Sequence, residues 1–419
     1  MKITVSQDRV LFAATGGSRR YVRLLFEAPR AAQAERLPLS LALVLDRSGS
    51  MQGAKFDLAR EAAIRCLGLL RPSDSIALIT YDTTVQIVLP ARPATPETLA
   101  ELRSLLAVLQ TGSSTNLEGG WLAGADAAAS AGLPRMRVLL VTDGLANVGE
   151  THPIALCRHA RELRERGLFT STIGVGADFD EVLLLQIAEY GGGNFHFVDE
   201  PEQFEPVLAG ELGEALAPFA EEISVHVTVR PQAECHVLGE RLVHPADGGW
   251  IVRVGSLAAG RTTDLVLRVD PPIAVIGDEL VMQLATHWSS ALDGQRHVEE
   301  TCGVSFVAAT THANQAQERD VETIVRVTEL RVADVQRRAL EFNREGQYDP
   351  ARELILAEHR DLRSLVEGNA CATRIWETLV PFAEEVNAVM ELMERMEHHE
   401  RSYTTQRSRA SYRRLKETT

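Results

Sequence analysis

Cysteine is scarce and poorly spaced for structural work. The 419 residues contain five (Cys66, Cys157, Cys235, Cys302, Cys371), and no two form a C-x-x-C pair, so neither a zinc site nor a disulfide framework is expected. No apolar run approaches the roughly 18 residues of a membrane span. Met1–Asp8 has no apolar core of signal-peptide length, and no N-x-S/T acceptor site occurs. These absences favour a cytoplasmic protein. The chain also lacks a G-x-x-x-x-G-K-[ST] loop and an H-E-x-x-H pattern, which His398-His399-Glu400 does not meet, so nucleotide hydrolysis and zinc proteolysis are not expected. Positive charge is short as well. Forty-three Lys and Arg face 58 Asp and Glu, a net charge of -15, which argues against a basic nucleic-acid-binding body.

The remaining composition is that of a globular protein, with 45% hydrophobic and 24% charged residues, long enough for two or three domains. Residues 1–37 read as β, in short apolar or alternating runs at Lys2–Val5, Val10–Ala13 and Tyr21–Phe26. After Pro38, strands alternate with helices. Candidate strands are Leu41–Leu45, Ser75–Tyr81, Val85–Leu89, Arg137–Thr142, Phe169–Val175 and Asn194–Val198. Helical patterns lie near 53–70, 96–109, 117–131, 153–166, 180–190 and 201–217. Such alternation predicts an α/β, doubly wound, mostly parallel sheet. Residues 218–310 return to β, so the expected plan is a β-sandwich of 1–37 plus 218–310 with the α/β domain, 38–217, inserted in it. The alternative is that residues 1–37 add edge strands to the α/β sheet. A helical hairpin or bundle is expected over 313–400, where Val321, Ile324, Val325, Thr328, Val332 and Val335 recur at helical spacing. The tail 401–419 has six basic residues and one acidic, and is expected to be disordered or a short docking segment.

Asp46-Arg47-Ser48-Gly49-Ser50 follows the apolar run Leu41–Leu45 and precedes a helical pattern. A carboxylate and two hydroxyls, each two residues apart, can turn toward one point on such a loop. Hard oxygens of this kind suit Mg²⁺, which takes a few protein ligands and keeps positions for water or a partner's oxygen. On a doubly wound sheet the site should lie at the carboxyl ends of the strands. Two further segments belong there: the hydroxyl-rich loop Thr111–Asn116, and the buried strand ending at Thr142-Asp143-Gly144. The pentapeptide alone could equally be a helix cap.

In these segments the chain resembles the von Willebrand factor A (VWA) family, whose metal-ion-dependent adhesion site (MIDAS) reads D-x-S-x-S, then Thr, then Asp. Asp46, Ser48, Ser50, Thr115 and Asp143 match all five positions in order. Val141–Gly144, Gly174–Glu181 and Gly191–Phe195 look like bacterial members related to calcium-activated chloride-channel regulators. The resemblance covers about 38–206. It implies a non-enzymatic protein-binding scaffold in which Ser48, Ser50 and Thr115 give hydroxyl oxygens to Mg²⁺ or Mn²⁺, with Asp46 and Asp143 acting directly or through water. An Asp or Glu of a protein partner would complete the shell, since an ion not fully neutralised by its own ligands still gains from another carboxylate. Relatives often work beside AAA+ ATPases of the MoxR type, so that system is an implied partner, and the helical region could serve oligomerisation.

The enzymatic alternative is a serine hydrolase centred on Ser50, with His152 or His196 as base. The nucleophile elbow needs G-x-S-x-G, and Ser48-Gly49-Ser50-Met51-Gln52 has neither glycine in register. A third reading is a structural scaffold whose helices carry the interaction. Asp178 and Asp180 are expected to be loop and cap residues, and the four tryptophans to be packing residues.

Overall fold

The computed structural model describes residues 1–29, 37–143, 145–176, 180–198, 204–216, 218–239, 241–290, 295–390 and 392–406. The chain divides into two compact units, one of residues 1–34 and 218–406 and the other of 35–217.

The first unit begins with β1 (Lys2–Gln7), β2 (Leu11–Ala13) and β3 (Arg20–Glu27). The chain then runs through the second unit: β4 (Leu39–Asp46), α1 (Ala54–Cys66), β5 (Ser75–Tyr81), β6 (Val85–Pro93), α2 (Pro96–Val108), α3 (Leu117–Ser130), β7 (Arg135–Thr142), α4 (Pro153–Glu165), β8 (Leu168–Val175), α5 (Glu181–Tyr190), β9 (Gly192–Val198) and α6 (Phe204–Leu216). It returns to the first unit with β10 (Pro218–Arg230), β11 (Glu234–Leu238), β12 (Val243–Ala246), β13 (Gly249–Ala258), β14 (Thr262–Asp270), β15 (Glu279–Ser290) and β16 (Arg296–Ala309). The helices α7 (Thr311–Ala316), α8 (Val321–Arg344), α9 (Tyr348–Val366), α10 (Ala370–Glu377), α11 (Leu379–Glu385) and α12 (Leu392–Gln406) follow.

In the second unit the strand order is β6-β5-β4-β7-β8-β9, antiparallel only between β5 and β6. β4, β5 and β8 are buried along their whole length, as expected of parallel strands covered on both faces. The order reverses between β4 and β7, the place where loops diverge and leave a crevice at the carboxyl ends. Helix α3 lies close against this centre because it carries glycines. A Cβ on Gly124 would stand 2.3 Å from Val44 Cγ2, and one on Gly120 would stand 2.3 Å from the Tyr81 ring. Trp121, between them, is fully buried and donates from Nε1 to Thr170 Oγ1 at 3.1 Å.

The first unit is a sandwich. Its four-stranded sheet runs β1-β3-β14-β11 and its six-stranded sheet β12-β13-β10-β15-β16-β2. The segment before the inserted unit thus supplies strands to both layers, with β3 antiparallel to β14 and β2 parallel to β16. The edge-strand alternative for residues 1–37 is excluded for β1–β3. Strand alternation sorts the side chains: Val22, Leu24, Phe26, Leu265 and Leu267 enter the core between the sheets. Tyr21 and Val266 point to the opposite face and pack with Ile324, Val327 and Leu330 of α8. The helical region is therefore built onto the sandwich. Asp264 of β14, itself buried, fixes it there by accepting from Arg326 Nε at 2.8 Å and Arg23 Nε at 3.0 Å. Asp320 caps α8 through Thr323 N at 2.8 Å.

Three sequence expectations need correction or limits. Val321 of the expected apolar row is 60% exposed, and Val327 is fully buried instead. The tail expected to be disordered from residue 401 begins too early: α12 continues to Gln406, with Ser402, Tyr403 and Gln406 buried, because the packed face of the helix extends past the change in composition. Residues 407–419, Gly144, Asp178 and the Asp293-Gly294 turn lie outside the described residues.

A buried polar cluster braces the far side of the α/β sheet. Glu211 of α6 accepts from Ser171, from Asn194 Nδ2 at 2.6 Å, and meets His196 Nε2 at 2.9 Å. Burial pushes this carboxyl upward, but the His196 hydrogen bond and charge, Arg137 and Ser171 outweigh it and hold the group down at about 2. A depressed carboxyl contributes stability above its unfolded value that is lost as pH falls through the folded one. Unfolding free energy is therefore expected to drop by up to about 3 kcal/mol between roughly pH 4.5 and 2. Urea titrations should show a shallower drop for Glu211→Gln, with lower stability than wild type at pH 7.

Candidate metal centre

The site grows from the two central strands. Asp46 is the last residue of β4 and Asp143 follows β7, the neighbouring strand; both are fully buried. Each strand is an apolar run that must be covered, so the carboxylates are carried inward with it. Asp46 Oδ1 accepts from Ser48 N at 2.7 Å, which closes the loop, and Oδ2 accepts from Thr142 Oγ1 at 2.6 Å. Burial pushes the Asp46 carboxyl up to about 6, against those hydrogen bonds, with the Asp143 charge adding to the rise. Two buried carboxylates on adjacent strands are costly without a compensating positive charge.

After Asp46 the chain makes a 3₁₀ turn over Gly49–Met51. Ser48 Oγ and Ser50 Oγ lie 3.1 Å apart, and Ser50 Oγ donates to Asp143 Oδ1 at 2.7 Å. The loop before α3 is drawn against this turn: Gly49 N donates to Ser113 O at 2.8 Å, and Gly112 N to Arg47 O at 2.5 Å. Thr115, in that loop, is 3% exposed. Its N donates to Asn147 Oδ1 at 2.9 Å, and its O accepts from Asn147 N and Val148 N at 3.2 Å each. These bonds tie the loops together: they link Asp46, Ser48, Ser50 and Asp143 to one another, and they hold Thr115 through its backbone on the loop beside them.

Several residues that hold this arrangement were not singled out from sequence. Lys55 Nζ, one of only three lysines in the chain, sits 3.0 Å from Asp143 Oδ2. It leaves Oδ1 to Ser50. Asp82, at the end of β5, accepts the N–H of Asn116 on its carbonyl at 2.8 Å and pairs with Arg47 Nη2 at 3.1 Å. A Cβ on Gly112 would fall 2.0 Å from Asp82 Oδ2, so glycine lets the two loops approach. Asn116 caps α3 by accepting from Gly119 N at 3.0 Å. The sequence signal for Lys55 was its place at the start of the helix after Ser50. Asp82 and Asn147 carry only the general preference of Asp and Asn for loops.

Donor chemistry suits a divalent cation. All candidate donors are hard oxygens, and hydrogen bonds of 3.1 Å (Ser48–Ser50) and 2.7 Å (Ser50–Asp143) gather three of them at one place. The serine-hydrolase alternative loses its base. Among the described residues Ser50 Oγ is engaged by Ser48 and Asp143, while His196 is held on Glu211 and His152 stands at the start of α4. Asp180 caps α5 by accepting from Val182 N and Leu183 N at 3.2 Å.

A doubly wound sheet with this loop constellation at its switch point defines a class of metal-dependent protein-interaction module. Residues 40–209 match the family model of the von Willebrand factor type A domain, and the inserted unit is a domain of that family. Domains of this family typically bind a divalent metal at the MIDAS. The Escherichia coli protein YfbK is 31% identical over 205 residues, 48% of this chain and 35% of that protein. Human inter-alpha-trypsin inhibitor heavy chain H4 is 32% identical over 165 residues, 38% of this chain and 18% of that protein. The chain thus matches about a third or less of the length of these curated relatives. Similar folds occur in a von Willebrand factor type A protein from Catenulispora acidiphila (TM-score 0.66, 16% identity, covering 87% of this chain and 89% of that one). A second is VWA2, the ArnB paralog of Sulfolobus acidocaldarius (TM-score 0.63, 14% identity, 97% and 98% covered).

Thr142 is the donor that keeps Asp46 in place. Thr142→Val preserves shape and removes that donor, leaving a buried carboxylate oxygen short of a partner. A loss of about 1–3 kcal/mol is expected, read as a lower urea midpoint in EDTA with unchanged far-ultraviolet circular dichroism.

Proposed function

We propose that this protein is a non-enzymatic, Mg²⁺-dependent docking scaffold that engages an acidic side chain of a protein partner. What supports the reading is the contact of the Ser48, Ser50 and Asp143 oxygens beside two buried carboxylates. Ser48, Ser50 and Thr115 would hold the ion through hydroxyls, and Asp46 and Asp143 directly or through water. A divalent ion there supplies residual positive charge for a partner's Asp or Glu. Lys55 limits how much of that charge Asp143 can neutralise, since Oδ2 already faces an ammonium. Mn²⁺ satisfies the same ligands.

Leu145 and Ile154, 55% and 76% exposed, belong to the segments after β7 and give the rim apolar area for a protein contact. A carboxylate ligand on a chain of net charge -15 is plausible physically because the ion's local field exceeds that of screened surface charges beyond a Debye length of about 8 Å. In this reading the protein acts in the cytoplasm. The helical region offers a second surface for docking or self-association, and a MoxR-type AAA+ ATPase system is a candidate partner through family resemblance. No helix among the described residues is long and apolar enough to cross a membrane.

Affinity capture with the full chain tests the docking step. Partners retained in Mg²⁺ should be released by EDTA and lost with Asp143→Ala, while Glu→Gln changes at the partner's contact should mimic the loss. Partners that persist through both EDTA and Asp143→Ala would assign the interaction to the helices instead.

A further inference from the structure

One cavity in the sandwich unit gathers charge of the opposite sign to the chain. A cavity of about 650 Å³ is lined by Arg9, Arg19, Arg20, Arg319 and Arg331, with Asp361 and Glu367 as its acidic residues. Five guanidiniums on one cavity repel one another unless anions separate them, so the arrangement of partners decides what the cavity can hold.

At one end the charges are matched. Arg331 Nε donates to Glu358 Oε1 and Nη2 to Asp361 Oδ2, each at 2.6 Å, and Arg19 Nη1 meets the same Asp361 oxygen at 2.6 Å. Two arginines there face two carboxylates. At the other end three arginines share the buried Asp8. Arg319 Nη1 donates to Asp8 Oδ2 at 2.9 Å, and Arg20 Nη1 stands 3.8 Å from that oxygen. Asp8 Oδ1 is taken by Tyr21 N at 2.8 Å. Arg20 is a fixed element: its side chain is 3% exposed and its nitrogens reach Leu11 O, Arg19 O and Asn314 Oδ1. Arg9 is under-used. Its Nε is buried with no hydrogen-bond partner, and Nη2 reaches Gln315 O only at 3.5 Å. Three guanidiniums share one carboxylate at this end, and over the cavity and its partners five arginines face the four carboxylates of Asp8, Glu358, Asp361 and Glu367.

We propose that this cavity binds a small phosphate monoester, with Arg9 and Arg319 donating to the phosphoryl oxygens and Arg20 as the fixed charge behind them. A phosphoryl group carries about -1.5 to -2 near neutral pH, and its several oxygens suit the forks of guanidiniums that share a single acid. A carboxylate offers only two oxygens and one charge to the same arginines. The volume lies within the roughly 300–1,000 Å³ of small-molecule sites and exceeds what a bare phosphate fills, so the organic portion of the ester has room toward Glu367. Burial and the neighbouring Arg319 pull Arg9 below the usual arginine range despite Asp8. Burial lowers Arg20 to about 10, which leaves it charged at neutral pH.

The test uses calorimetry on the full chain in EDTA at low ionic strength, with ribose 5-phosphate, inorganic phosphate and succinate as probes. EDTA removes any contribution from the metal centre, so this result stands apart from the docking proposal. Ribose 5-phosphate should bind at one site, more tightly than phosphate and at least about tenfold more tightly than succinate, and the affinity should fall with added salt. Arg9→Gln is the decisive variant because Arg9 is only partly buried and makes few contacts. It should weaken the ester about tenfold while leaving the melting temperature of the free protein unchanged. No binding to wild type at millimolar ester, binding unaffected by Arg9→Gln, or succinate binding as well as the ester would each overturn the proposal.

Discussion

Two carboxylates buried on neighbouring parallel strands are the constraint around which the inserted unit is arranged. Asp46 and Asp143 are carried to the centre of the sheet by apolar runs that bury fully, and the strand order reverses between them. Everything nearby manages their charge. Thr142 and the Ser48 backbone hold Asp46, while Ser50 and Lys55 divide Asp143 between them. Burial still pushes Asp46 up to about 6. The glycines of α3 and of the Thr111–Asn116 loop serve the same centre by letting backbone approach where a Cβ would collide.

The central loops were legible because their chemistry is local in sequence or marked by strand ends. A D-x-S-x-S run after an apolar strand predicts a convergent oxygen loop, and Asp143 ends another apolar strand. The alternating strands and helices likewise expose the doubly wound sheet, and the two β segments flanking it expose the sandwich. What sequence did not reveal depends on side chains meeting across distance. Lys55 reads as an ordinary exposed helix residue until the fold places it on Asp143. Gly112 matters only because Asp82 stands where its Cβ would be. The end of the helical region was misplaced because composition changes at Arg401 while packing continues to Gln406.

The arginine cavity illustrates the same limit more sharply. Its basic residues are spread from Arg9 to Arg331 in a chain whose overall charge is -15, and no window of sequence shows them together. Their convergence follows from β3 pairing with β14 while α8 and α9 cover that sheet's outer face. The two units thus gather charge of opposite sign at one place each: buried carboxylates in one, and a cluster of arginines in the other.

The central claim is that the loops at the ends of β4 and β7 form one divalent-cation site. Isothermal titration of Mg²⁺ into the EDTA-stripped full chain tests it most directly, with Ser48→Ala and Thr115→Ala proteins titrated alongside. The account predicts one ion per chain, with at least about tenfold weaker binding in each variant. Wild-type protein with native near-ultraviolet circular dichroism that takes up no ion, or variants that bind it as tightly as wild type, would contradict the account.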